Sequence, residues 1–489
     1  MLVDRNWGRI HAAMAVLLLS FLTEVRAQSD VARPDELGAA QVIRVSDSLS
    51  EVTVSSLEEQ LDALRSEISR LRDSSSKPKF PSVELHGVFQ ADSGWVHQSD
   101  ENIAAVRAVQ INSGVPAGTA TGDILDGASF RRARLSANGA VAPNMNYMLQ
   151  MDFAFFGRPT FTDLWMEVTD VPGLGHVRVG QWKQPFSLEV VSSFRYTTFA
   201  ERSLSFQAFV PFRHLAVGFY DWSDDERCTW AASVYRAGQD QFGGSLSDNG
   251  GYAGVARITA LPWWDDDSQG RSYLHTGLAY NVVAPKDRLA RFRSIPEYFI
   301  GEQSGLAPVG TSGQAEPGAF NGIPFFVDTK AQGIDHYHLI GPELLWVDGP
   351  FSWQSEASLL WANLTNGGQA YFPGAYSQVG YFLTGEHRPY NRKLGAIDRI
   401  QVKHPFGLSS DASDSWGLGA WEVAARVSHI DLNSEAIRGG RLTDLTLGLN
   451  WYLNNNSKLQ FNYIRAFLAN PAQASTTTDI FGLRAQLDF

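Results

Sequence analysis

The end of the chain alternates. Phe481, Leu483, Ala485, Leu487 and Phe489 fall on one face of an extended segment, and Arg484, Gln486 and Asp488 on the other. Period two marks a strand with two unlike faces. The same period starts near Val83. Tyr147, Leu149, Met151, Phe153 and Phe155 alternate with Gln150 and Asp152. Leu445, Leu447, Leu449, Trp451 and Leu453 alternate with Thr446, Gly448 and Asn450. A soluble sandwich strand would show this too. A terminal Phe489 on such a strand, in a chain with a secretory leader, favours an outer-membrane β-barrel. That ending is the usual signal to the barrel-assembly machinery. An arginine at the lipid midplane costs about 2–4 kcal/mol, so the face of Arg484 looks into water.

The alternation divides residues 83–489 into about sixteen strands: 83–96, 129–142, 145–156, 161–170, 175–184, 214–222, 226–237, 251–261, 271–283, 333–347, 351–365, 376–388, 415–431, 440–453, 456–469 and 477–489. An even count suits a single-chain antiparallel barrel. Tight and long connections tend to alternate. One disobeys: 389–414 is long but falls on the side of the tight turns, so either the count slips there or that turn carries extra structure. Mean hydropathy of −0.18 excludes a helical membrane bundle, whereas a barrel averages its two faces. The net charge of −12 argues against a nucleic-acid partner. One cysteine, Cys228, cannot form an internal disulfide.

Residues 1–27 read as a signal peptide. Arg5 and Arg9 precede an apolar run, Ala12–Leu22, and Val25-Arg26-Ala27 is an acceptable cleavage site. A retained anchor is the alternative. Residues 28–49 form a polar linker. In residues 50–75, Val54, Leu57, Leu61, Leu64, Ile68 and Leu71 repeat at spacings of three and four. That seam predicts a coiled-coil helix, and about three heptads are marginal alone. Either barrel oligomerisation brings copies together, or the helix lies singly on the barrel or membrane. Residues 76–82 link it to the barrel.

Between Gly180 and Asp221 the period breaks for about 28 residues. This stretch carries Lys183, Arg195, Arg202 and Arg213 against Glu189 and Glu201. It also carries Phe186, Phe194, Tyr196, Phe199, Phe206, Phe209 and Phe212. Loops of this length are uncommon unless functional. Rings want burial and cations want water or anions. A loop folded into the pore satisfies both; an external cap is the alternative.

Six pieces carry a resemblance: GQWKQPF (180–186), FAERSL (199–204), SFRRARLS (129–136), YFLTGEHRPYN (381–391), AWEVAARVSHIDL (420–432) and GLNWYLNNNSKLQFNYIRA (448–466). Together they resemble the phosphate-selective porin O and P family over about residues 80–489. The resemblance implies a trimeric, sixteen-stranded outer-membrane channel for phosphate-type anions.

The chemistry of the residues agrees with a channel. Enzyme motifs such as H-E-x-x-H, a Walker loop and G-x-S-x-G are missing, and no cofactor is implied. His336 and His338 share a face but are a poor metal site alone. Asp265–Asp267 sit in a turn and read as solvated. Arg132 and Arg134 alternate with Ala133 and Leu135 and so face the lumen; Arg178 lies on the strand entering the long loop. Guanidinium forks match phosphate oxygens. Any one arginine can instead be a lumen salt bridge, as expected for Arg426 with Glu422, and Arg213 could pair with Glu201. Lys183 could anchor the root of the loop. The expectation is a homotrimer in outer-membrane lipid passing small inorganic anions, with the N-terminal helix in the periplasm. A general or cation-preferring porin, and a barrel anchor whose stalk tethers the envelope, are the alternatives.

Overall fold

The computed structural model describes residues 80–154, 159–238, 244–300, 323–408, 416–435, 437–469 and 475–489, with Ala63 and Ser66. The expected signal peptide, first linker and coiled-coil helix lie outside these residues, except that Ala63 and Ser66 are helical.

Sixteen long strands follow one another: β1 (Glu84–Gln98), β2 (Gly127–Ala142), β3 (Met145–Asp152), β4 (Thr160–Val171), β5 (Gly175–Lys183), β6 (Arg213–Trp222), β7 (Cys228–Arg236), β8 (Tyr252–Trp264), β9 (Ser272–Ala284), β10 (Gln332–Asp348), β11 (Phe351–Leu364), β12 (Gln369–Phe382), β13 (Ala420–Ser434), β14 (Ile437–Asn454), β15 (Ser457–Ala469) and β16 (Thr476–Asp488). Each pairs antiparallel with the next. β16 returns to β1 in the register Val88↔Asp488 to Gln98↔Thr478. The sheet is therefore a closed barrel, and closure removes the unpaired edges that would otherwise recruit another chain.

The two faces separate as the alternation requires. Phe130, Leu135, Val179, Leu215, Val217, Val234, Ile258 and Leu278 are exposed on the outside. Trp230, Trp263, Trp346, Trp353, Trp361, Tyr371 and Tyr381 are exposed there too, the residue types of an interfacial girdle. The buried set includes Gln90, Asp92, Arg132, Arg134, Glu343, Arg426, Asp444 and Arg484. A polar interior inside an apolar exterior inverts a soluble fold and suits a wet lumen in lipid. Among the described residues no helix is long and apolar enough to span a membrane, which says nothing about strands.

One end of the barrel holds the start of β1, Phe489 and most of the tight turns. Gly87 and Phe489 exchange backbone hydrogen bonds of 3.0 Å. The long connections 99–126, 184–212 and 285–331 leave from the opposite end. The first contains α1 (Asp100–Asn112), whose first turn is capped by the Ser99 hydroxyl accepting from the Asn102 N–H at 3.2 Å.

The disobedient connection carries extra structure. β12 ends at Phe382 and β13 begins at Ala420, so the expected strands 376–388 and 415–431 are displaced. The residues released fold back into the barrel. Arg388, Tyr390, Ala396 and Ile397 are buried, and Tyr390–Asn391 pairs with Ala396–Ile397 as a small ribbon. This segment leaves from the end that carries the start of β1 and Phe489.

Candidate functional site

Loop three, residues 184–212, enters the lumen. Its aromatic residues explain why: Phe186, Phe199 and Phe209 are almost wholly buried. They reach the far wall, which makes room with glycine. A Cβ on Gly341 of β10 would lie 2.6 Å from the Phe186 ring, and one on Gly374 of β12 would lie 2.8 Å from the Ser205 Cβ. Two short helices, α2 (Leu188–Val191) and α3 (Leu204–Phe209), stiffen the loop. Backbone groups between turns are satisfied by the wall. The Ala200 N–H donates to Asn462 (2.9 Å), the Leu204 N–H donates to Ser428 (3.0 Å), and the Thr198 carbonyl accepts from Asn450 (2.7 Å). Buried backbone polar groups need such partners.

Glu201 fastens the loop across the β1–β2–β16 side. It accepts from Arg131 at 2.8 and 3.0 Å and from Arg484 at 2.6 Å, while Arg484 also holds Asp92 at 2.7 Å. Burial pushes the Glu201 carboxyl up, but Arg131, Arg484 and Arg132 outweigh that and hold it well below the usual carboxylate range. Arg213 pairs with Asp163 at 2.7 Å instead of the expected Glu201. The expected Arg426–Glu422 bridge is also replaced. Arg388, brought in by the inward-folded turn, holds Glu422. Arg426 takes Glu297 (2.9 Å, through Nε) and Glu189 (3.3 Å).

The seven cations expected along an anion path do not all meet. Lys183, Arg202, Arg213 and Arg134 lie close enough to repel one another. Asp152, held by Arg134 at 2.7 Å, and Asp163 partly balance them. Lys183 does anchor the loop, donating to the carbonyls of Val190 and Ser192, both at 2.8 Å. Arg202 donates to the Glu189 carbonyl at 2.9 Å. Arg132 and Arg134 both lie against the Phe194 ring, with guanidinium carbons 4.4 and 4.7 Å from its centroid. Arg132 donates to Gln90 and has no carboxylate partner among the described residues. Arg195 follows Phe194 in the loop. Arg178 stands apart, bound to Glu167 at 2.6 Å and stacked 3.9 Å from the Trp165 centroid.

Among the described residues three guanidinium nitrogens are buried without a hydrogen-bond partner: Arg132 Nε, Arg134 Nη1 and Arg195 Nε. An unmet buried charged donor is costly. Such donors can be satisfied by a passing anion. The alternation missed Arg131 and Asp163. Each sits at a bulge: Gln90 pairs with Arg132 but Ala91 with Phe130, and Leu149 pairs with Leu164 but Met151 with Phe161. A bulge adds a residue and reverses the parity beyond it. The Arg131-Arg132 doublet was the only hint.

Loop five fills a second part of the lumen and reaches β1 and β2, where Tyr298 meets Gly94 and Phe299 lies 3.9 Å under Arg131. The base of loop five, at 289–300 and 323–329, buries Phe292, Ile295, Tyr298 and Phe326. The inward-folded turn meets loop three where the Ile397 N–H donates to the Ser192 hydroxyl at 3.0 Å. An open cavity of about 520 Å³ remains at the end that holds the start of β1 and Phe489, beside β1–β4, lined by Gln150, Trp165 and Arg195 among others. No cluster of three metal-ligating residues occurs among the described residues. His336 and His338 face outward and bond to Asn363 (2.9 Å) and Tyr280 (2.6 Å).

The family model described as phosphate-selective porin O and P matches residues 109–489. The chain is 24% identical over 389 residues to Porin O of Pseudomonas aeruginosa, covering 71% of this chain and 78% of that protein. It is 25% identical over 373 residues to an uncharacterised protein of Caulobacter vibrioides, covering 74% and 68%. Among solved structures, an anion-selective porin from Comamonas acidovorans aligns with a TM-score of 0.49 at 11% identity, over 83% of this chain and 99% of that one. OmpT of Vibrio cholerae aligns with a TM-score of 0.46 at 10% identity, over 84% and 100%.

Proposed function

We propose that this chain, which belongs to the phosphate-selective porin O and P family, is an outer-membrane diffusion channel that prefers small anions, with phosphate-type oxyanions as the favoured class. The observation that carries this reading is the set of buried, unpartnered guanidinium nitrogens on Arg132, Arg134 and Arg195. Selectivity follows the local field, not the total charge of −12. In a narrow, low-dielectric passage an excess of cations is poorly screened. An ion entering it exchanges hydration water for fixed donors, which must hold it weakly enough to let it leave.

The path runs from loop three past Lys183, Arg202, Arg213 and Arg134 to Arg132 and Arg195. Arg178 acts as structure, because Glu167 neutralises it. The working unit is a homotrimer in outer-membrane lipid, inserted through the strand that ends at Phe489. The heptad residues 50–75 on the periplasmic side support the trimer. A general or cation-preferring porin is the competing reading, motivated by the acidic composition. The test is the reversal potential in a potassium chloride gradient across a planar bilayer. The wild-type potential has the sign of an anion-preferring pore. Changing Arg132 and Arg195 together to Gln removes two unit charges and lowers the anion-to-cation permeability ratio by at least about tenfold, the effect of a single unit charge some 10 Å away in a poorly screened site. An unchanged potential in the double variant rules this passage out as the selectivity site.

A further inference from the structure

The cavity beside β1–β4 has a chemistry that an inorganic ion cannot use. It lies next to the arginine cluster, so this inference rests on the anion-channel reading above. Its volume of about 520 Å³ falls within the range of small-molecule pockets, roughly 300–1,000 Å³. Its lining combines an aromatic and an apolar surface, Trp165 and Met148, with three carboxamides, Asn138, Asn146 and Gln150, and one guanidinium, Arg195.

Trp165, Gln150 and Arg195 are held in place. Arg178 sits 3.9 Å from the Trp165 centroid and is itself fixed by Glu167 at 2.6 and 2.9 Å. The indole is therefore steadied from one side by a cation–π contact. The amide oxygen of Gln150 accepts from Thr162 at 2.9 Å, which leaves its NH₂ as a donor. Arg195 is clamped at both backbone groups: its N–H donates to Ser193 at 3.3 Å and its carbonyl accepts from Gln486 at 3.3 Å. Its Nε is buried and unpartnered. Glu84 also lines the cavity, paired with His86 at 3.7 Å on the exposed rim, and would repel an anion bound there.

A hydrated phosphate gains nothing from Met148 or Trp165. A ring with a carbon face gains from both, because an aromatic surface rewards apolar contact at low entropic cost. Gln150 offers its NH₂, Asn138, whose NH₂ donates to Glu84 at 3.4 Å, offers its oxygen, and Asn146 offers both, which suits hydroxyl groups that donate and accept. Arginine suits phosphate. We propose that this cavity is a subsite for phosphorylated monosaccharides. The sugar ring lies on Trp165, its hydroxyls meet Asn138, Asn146 and Gln150, and its phosphate reaches Arg195.

The test uses the full chain in planar bilayers, with chloride current blocked by glucose 6-phosphate, phenyl phosphate or inorganic phosphate. Glucose 6-phosphate blocks at the lowest concentration of the three. Trp165→Ala raises the ratio of half-blocking concentrations, glucose 6-phosphate to inorganic phosphate, by about tenfold, the worth of one good aromatic contact. Trp165→Phe, which keeps a ring, raises it less and guards against a folding defect in the alanine variant. Equal block by glucose 6-phosphate and inorganic phosphate overturns the proposal. So does a ratio unchanged in both variants, or stronger block by phenyl phosphate, which would make the cavity an aromatic-anion site. The anion reading is judged separately, by the reversal potential in chloride alone. A chloride-preferring pore that ignores glucose 6-phosphate keeps that reading and removes only this one.

Discussion

The two sides of the lumen use arginine differently. On the β8–β14 side, carboxylates outnumber guanidiniums. Glu189, Glu297, Glu343, Glu356, Glu422 and Asp444 are buried with Arg257, Arg388 and Arg426. Each of those arginines is tied to a carboxylate: Arg257 to Glu343 at 2.7 Å, Arg388 to Glu422, and Arg426 to Glu297 and Glu189. Among the described residues the charged orphan atoms there are carboxylate oxygens, Glu297 Oε1, Glu356 Oε2 and Asp444 Oδ1, beside the amide atoms Asn281 Nδ2 and Asn450 Oδ1. On the β1–β6 side, beside His176 Nδ1, the orphans among the described residues are guanidinium nitrogens. Arginine on the first side glues inner segments to the wall; on the second Arg131 does so too, through Glu201, but Arg132, Arg134 and Arg195 have donors to spare. Type and burial are the same on both sides, so the partner decides the role.

The largest expected effect tests the gluing side. Replacing Arg426 with Met leaves Glu297 and Glu189 buried without their cation. Breaking a buried pair from one side costs about 3–5 kcal/mol. The variant should melt at a clearly lower temperature in detergent and show noisier single-channel current, as loops three and five lose a shared anchor. Arg132→Met, on the other side, should melt nearly as the wild type and change the reversal potential instead. If both variants lose stability equally and neither changes selectivity, the division between the sides is wrong.

A smaller effect concerns how loop three reaches across. Gly374 leaves 2.8 Å between an added Cβ and Ser205, and overpacking of a filled interior costs about 1–3 kcal/mol. Gly374→Leu should push α3 off the β12 wall toward the cationic side and lower conductance. Unchanged conductance with unchanged melting would show that the loop shifts freely, and the close approach would then carry no weight.

The barrel was legible because its faces differ. Leu483 and Arg484 fix the inside and outside of β16, and the same rule places fifteen further strands. It failed where the rule itself is suspended. At Arg131 and Asp163 a bulge reverses the parity. At 376–388 the aromatic and polar residues of YFLTGEHRPYN continue to look strand-like after β12 has ended. The long loop was recognisable from its rings, and so was its entry into the pore, since seven aromatics cannot remain in water cheaply. The ion pairs were not. Arg388 and Glu297 come to Glu422 and Arg426 from segments folded inward, and no local spacing encodes that meeting.

The smallest effect is a pH dependence on the gluing side. Glu297 lies at the base of loop five. Its N–H donates to Asp444 at 2.8 Å, and its Oε2 accepts from Arg426 at 2.9 Å and Thr446 at 2.8 Å. Glu189 also faces this point, through Arg426. One guanidinium therefore bridges two carboxylates, with the Asp444 carboxylate close by. Burial pushes the Glu297 carboxyl above its ordinary value, and Arg426 only partly offsets this. A raised carboxyl pKa means the folded state binds the proton more tightly than the unfolded chain. The contribution is full below the ordinary glutamate value, about 4.3, and is lost as pH rises through the elevated one, at about 1.4 kcal/mol for each pH unit that separates the two values. Acid should thus tighten the seat of loop five, against the usual trend of acid weakening a protein through its ion pairs. Melting temperature followed upward from about pH 4.3 should fall in the wild type and fall less in Glu297→Gln, which carries a permanent neutral amide. Parallel pH profiles for the two proteins would mean that Arg426 keeps Glu297 ionised throughout, and the acidic side would then hold its loops by ion pairs alone.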